Sequence, residues 1–197
     1  MATSSREDWL QQAAAQLRGV FEQEGYEVPA VRAGVGFPST GRKSSRIGEC
    51  WGSSASADGV CEVTIAITRA DPVDVLGILA HELCHAAVGV QAQHGPVFKR
   101  CALAIGLEGK MRATTVGAAL GARLARLAED LGPYPHAQLN PAMSLRKVQR
   151  TRMIKAQCRE CEYTVRLSQK WIEVAVPTCP NPECEQQSES MEVEGGE

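Results

Sequence analysis

The stretch from Asp71 to Gly89 carries more folding instruction than any other part of the chain. Asp71 is a good helix N-cap, Pro72 suits the first turn, and Asp74 favours the positive end of the helix dipole. Val73, Leu76, Leu79 and Leu83 then recur at helical spacing as far as Val88, and Gly89 is a natural C-cap. The spacing predicts a well-capped, largely buried helix. Inside it stand His81, Glu82 and His85, the pattern H-E-x-x-H. Residues four apart share a helix face, so both imidazoles can reach one metal ion, while Glu82 stands beside them to handle a proton.

A metal that performs chemistry needs a third protein ligand and an open position. The chain has four histidines, which leaves His94 and His136. His94 lies in the loop GVQAQHGP that turns the chain back after the helix, and is the better placed of the two. His136, in GPYPHAQL, reads either as a substrate-side residue or as a plain loop histidine, and it and Tyr134 are the candidates to stabilise an oxyanion. Glu108 would serve if the third ligand were a carboxylate. The metzincin pattern would need Gly at Val88 and His at Gln91, and has neither. Cys84, between the two helical histidines, reads as packing, as do Cys50, Cys61 and Cys101.

The other four cysteines are clustered: Cys158 and Cys161, then seventeen residues, then Cys179 and Cys184. Gaps of two to four residues within a pair suit tetrahedral zinc, and Tyr163, Val165 and Leu167 alternate with polar residues at strand spacing. The expectation is a zinc ribbon whose complete shell of four cysteines makes the metal structural. Disulfide frameworks belong to short secreted chains, and this chain has 197 residues. From Arg146 to Lys170 basic residues outnumber acidic ones, eight to two, whereas five glutamates and no basic residue follow from Glu185. Arg150, Arg152, Lys155, Arg159, Arg166 and Lys170 could contact phosphates, and Trp171 is either a stacking surface for single-stranded nucleic acid or the ribbon's own core.

Elsewhere, Ser4 and Glu7 suggest a capping box ahead of a packing helix that ends at Gly25. Strands are expected at Val31–Phe37, Arg46–Trp51 and Val60–Thr68, and further helices at Pro96–Ile105 and Thr115–Leu131. With 44% hydrophobic and 22% charged residues the composition is that of a globular protein. The longest apolar run, Val75–Ala80, is far short of a membrane span, and acidic Glu7 and Asp8 stand where a signal peptide would be basic and then apolar. A soluble, cytoplasmic protein without membrane partners is expected.

His81-Glu82-Leu83-Cys84-His85-Ala86, followed by His94-Gly95-Pro96-Val97-Phe98, resembles the SprT-like zinc metallopeptidases, the group that contains the Spartan-type proteases. The similarity extends over residues 5–135, and a C-terminal ribbon also occurs in that group. The resemblance implies His81, His85 and His94 as zinc ligands and Glu82 as general base. It also implies substrates that are proteins on DNA or crosslinked to it. The combined expectation is an α+β, zincin-type peptidase domain over residues 1–140, a basic linker and ribbon over 141–184, and a disordered acidic tail over 185–197. Two zinc ions are expected, one catalytic and one structural.

Overall fold

The structure is a computed structural model describing residues 5–41, 44–135, 137–143 and 153–193. The chain is mixed α+β and divides into two compact units, residues 1–144 and 145–197.

The first unit is built around two buried helices. Helix α1 (Arg6–Gln23) starts with a capping box formed by Ser5 and Asp8, one residue along from the expected pair: Ser5 Oγ accepts the Asp8 N–H at 3.0 Å and Asp8 returns the contact to the Ser5 N–H. Its apolar stripe of Trp9, Leu10, Ala13, Leu17 and Phe21 is buried, at about 1.5–3 kcal/mol for each large side chain. A three-stranded sheet follows, of β1 (Val31–Gly36), β2 (Gly48–Trp51) and β3 (Cys61–Ala66), in the order β1-β3-β2. β1 runs parallel to β3, and β2 runs antiparallel to it at the sheet edge.

Helix α2 (Pro72–Val88) is the central element, with eleven of its seventeen residues buried. Asp71 caps it by accepting the Asp74 N–H at 2.8 Å, and Gly89 ends it at φ +84°. Helix α3 (Pro96–Ala104) turns back against α2. Next comes a hairpin, β4 (Leu107–Lys110) and β5 (Ala113–Val116), that sequence spacing did not disclose. The helix expected from Thr115 therefore begins later, as α4 (Ala118–Leu131). The hairpin strands are four residues each and bury one side chain fully, Leu107, so they carry little periodicity to read.

The second unit is a small antiparallel sheet, β7-β6-β8, of β6 (Met153–Gln157), β7 (Thr164–Ser168) and β8 (Glu192–Val193), with a short helix α5 (Gln169–Val174) after β7. Two expectations need correcting here. Part of the supposed linker is strand β6. The acidic tail is not separate as far as residue 193, because β8 pairs with Ala156 and Gln157 and Met191 is buried in the ribbon core. Among the described residues, no helix is long and apolar enough to cross a membrane.

Candidate metal centres

His81 and His85 project from one face of α2, as their spacing requires. His94 is brought to them by a tight connection: Gly89 at φ +84°, a single 3-10 turn over Val90–Ala92, and Gln93 at φ +46°. A non-glycine residue held at positive φ is costly, and here it sets the direction of the next residue, His94. Gly95 and Pro96 then start α3, so His94 is pinned between two turns.

The three imidazoles converge through Nε2. His94 Nε2 lies 3.2 Å from Nε2 of both His81 and His85. One neutral imidazole nitrogen either donates or accepts, so His94 cannot satisfy both neighbours at once. Three nitrogens on a tetrahedral metal at zinc–nitrogen distances would be about 3.3 Å apart. The donor set and its spacing therefore fit a divalent metal such as zinc.

The surroundings hold the rings in place. Thr114 Oγ1, on β5, lies 2.8 Å from His81 Nδ1, and a protonated Nδ1 donating there leaves Nε2 as the ligand atom. The fully buried Phe98 of α3 stacks on His85 at 4.3 Å and lies within 5.0 Å of the other two rings. Burial, then the neighbouring imidazoles, push His81 down to about 4 and His85 to about 3; burial, then Arg112 and Arg46, also lower His94. The set is neutral at physiological pH, as ligands must be.

Glu82 is buried, at 6% exposure, and among the described residues its carboxylate accepts no hydrogen bond. Burial, reinforced by the charge of Glu49 and opposed by Arg46, raises its pKa to about 8. Glu82 can lie against β2 because residue 48 is glycine: a Cβ there would be 2.5 Å from Glu82 Oε1. Glu49 is itself below the usual carboxylate range; burial opposes this but is outweighed by Ser39 hydrogen bonds and by Arg46, whose guanidinium is 2.6 Å away.

Tyr134 is not brought to this cluster. Its ring packs edge-on against Trp9 at 5.0 Å with Arg6 above it, and its buried hydroxyl has no partner among the described residues. Its neighbours Gly132 and Pro133 line a cavity with Pro72 and Val73, at the start of α2 and about 13 Å along the helix from His81. Its described contacts are with Trp9 and Arg6, and none is with the histidines. His136, Arg150 and Arg152 lie outside the described residues. Glu108 is exposed and lies against Gly117, not at the histidines. Thr114 and Phe98 are the residues against the histidine rings to which the sequence reading gave no role. The Phe at the fifth position of H-G-x-x-F was a usable signal; Thr114 had none.

In the second unit the sulfur atoms of Cys158, Cys161, Cys179 and Cys184 form one cluster, 3.7 Å apart for Cys158 and Cys184 and 3.5 Å for Cys161 and Cys179. Tetrahedral zinc at zinc–sulfur distances of about 2.3 Å would set them about 3.8 Å apart. Backbone N–H groups two residues on, at Tyr163, Asn181 and Gln186, point at Cys161, Cys179 and Cys184. The Tyr163 N–H, the largest influence on Cys161, brings that thiol down to about 6. Cys184 is pushed to about 12 by burial and by its crowded neighbours. A dication at the centre would let all four sulfurs bind as thiolates.

The basic residues of the ribbon are unequally available. Lys155 on β6 is directly opposite Arg166 on β7, Arg159 is paired with Glu192, and Lys170 sits 5.2 Å over the Trp171 ring. Trp171 is 57% exposed on α5 and is not part of the ribbon core, which consists of Ala156, Met191 and three of the cysteines.

Comparison of the chain with protein-family models, with curated proteins and with solved structures found no match.

Proposed function

We propose that residues 1–144 form a zincin-type, SprT-like zinc endopeptidase. The observation that carries this reading is the convergence of His81, His85 and His94 through Nε2, with the buried carboxyl of Glu82 next in the chain to the first ligand. When bound, zinc would act as a Lewis acid on a carbonyl and make water acidic enough to react at neutral pH. His81, His85 and His94 hold it, and Thr114 orients His81. Glu82 takes a proton from the attacking water and returns it to the leaving nitrogen. Its carboxyl is buried beside the ligands and accepts no hydrogen bond among the described residues, which leaves it available for both tasks. β2 is the sheet edge nearest α2, and an extended peptide can add to it as a further strand, with the half-exposed Trp51 at its end.

The ribbon would direct this activity to proteins bound or crosslinked to DNA. Lys170 lies over the exposed ring of Trp171, which offers a face on which an unpaired base can stack with a cation at hand for its phosphate. Single strands are therefore the preferred ligand.

Metal analysis of the full chain should return two zinc per molecule, falling to one in the double variant His81→Ala/His85→Ala, with casein hydrolysis lost. A chain that holds zinc at both sites but cleaves neither casein nor a DNA-crosslinked protein would favour a different reading: a DNA-binding protein that uses the domain as scaffold. In the same preparation a fluorescent oligonucleotide should bind with log affinity falling by about 0.7 per phosphate contact against log salt.

A further inference from the structure

A general base must be aimed, and no hydrogen bond aims Glu82. Its side chain turns about several bonds, and among the described residues its carboxylate has no hydrogen-bond partner. The described side-chain oxygen that is both sealed from solvent and unpartnered is that of Tyr134. The Glu82 oxygens, equally unpartnered, therefore keep some access to solvent. A buried acid with an open end takes its direction from what it packs against.

That surface is β2. Gly48 is paired with Ile65 and Cys50 with Val63, both buried, so these two residues face the core side of the sheet. Gly52, in extended conformation just beyond the strand, continues the alternation. A Cβ at 52 would be 2.9 Å from Val90 Cγ2. A Cβ at 48 would be 2.7 Å from Ile78 Cγ2, 2.9 Å from Glu82 Cγ and 2.5 Å from Glu82 Oε1. Ile78 and Glu82 are one turn apart on α2, so the strand backbone lies directly on the helix. Gly41 and Gly59, before and after it, have positive φ, but Gly48 does not, so its backbone would accept alanine. What excludes a side chain at 48 is space, and Glu82 fills that space.

We propose that Gly48 is a positioning residue for peptide hydrolysis: its bare Cα is the surface on which the Glu82 carboxylate rests and keeps one direction. This rests on the peptidase reading above. A side chain at 48 has two ways to fit. Turning the carboxylate aside costs proton transfer alone. Lifting β2 from α2 also moves the edge to which a peptide would add, and so weakens substrate binding.

The zinc-loaded full chain is assayed on a quenched peptide, with and without Gly48→Ala. kcat should fall about 10²-fold, the cost of a small misplacement, with KM and zinc content unchanged. Added to Glu82→Gln, where there is no carboxylate left to aim, the same change should cost less than about twofold. Ile78 would also meet the new methyl, so each comparison is repeated in Ile78→Ala, where Glu82 alone stands in its way. Urea denaturation of the first unit gives a readout without turnover. In Ile78→Ala the change at 48 should lower the midpoint, and with Glu82→Ala added it should no longer do so. A wild-type rate in Gly48→Ala, an equal fold-loss with and without Glu82→Gln, or a midpoint penalty that survives Glu82→Ala overturns this assignment alone. If zinc-loaded wild type cleaves no peptide, the peptidase reading fails and this role with it.

Discussion

The two candidate metal centres are held in opposite ways. The histidine set stands beside a large core that is built without it: Phe21, Leu10, Leu17, Leu76, Leu79, Leu83 and Leu124 are all fully buried. The cysteine set is most of the core of its unit, where the remaining buried side chains are Ala156 and Met191. A metal in the first place would stand beside a core that does not need it. In the second it would hold most of the core together, and four cysteine ligands would leave it no open position.

Chelation should separate the two most sharply. Stripping zinc should abolish amide dispersion for residues 153–193 in an NMR spectrum and leave the signals of residues 5–135 dispersed, since structural zinc is worth about 10–16 kcal/mol to a fold of this kind. A ribbon that stays folded without metal would break the comparison. Within the first unit, Glu82→Gln should retain both zinc ions and lose about 10²–10⁴ in peptidase rate, read by cleavage of a quenched peptide. Loss of metal instead would make Glu82 a ligand. Thr114→Val should be milder, weakening zinc at the histidines by about 10–100-fold in a competition titration while the cysteine site is untouched.

The smallest effect is on the pH dependence of the zinc-free first unit. The pKa of Glu82 is raised from 4.5 to about 8 on folding, so its contribution is fully present below 4.5 and is lost as pH rises through 8. His81 and His85 have lowered values, and their contribution is lost as pH falls below 6.5. Over pH 6.5–8 the histidines, His94 included, still offset part of this, so the decline is read as a difference: relative to Glu82→Gln the wild-type unit should lose about 1.6 kcal/mol. Glu82→Gln should flatten that decline, as read by urea denaturation of the first unit's signals.

What the chain discloses by itself is whatever local spacing dictates. The caps at Asp71 and Gly89, the two histidines on one helix face and the cysteine knuckles are set by neighbours a few residues apart, where bond geometry leaves few alternatives. His94 was legible because one turn of loop and a helix start follow α2. Thr114 was not, because it reaches the site through a hairpin that packs on α2 where Gly77 carries no side chain. Tyr134 looked close to the chemistry in the sequence and lies instead against Trp9, since an aromatic ring goes where apolar surface is available. The tail from Glu185 read as solvated charge. Its single buried methionine and the unpaired edge of β6 draw it into the ribbon as far as Val193, a long-range pairing that composition cannot record.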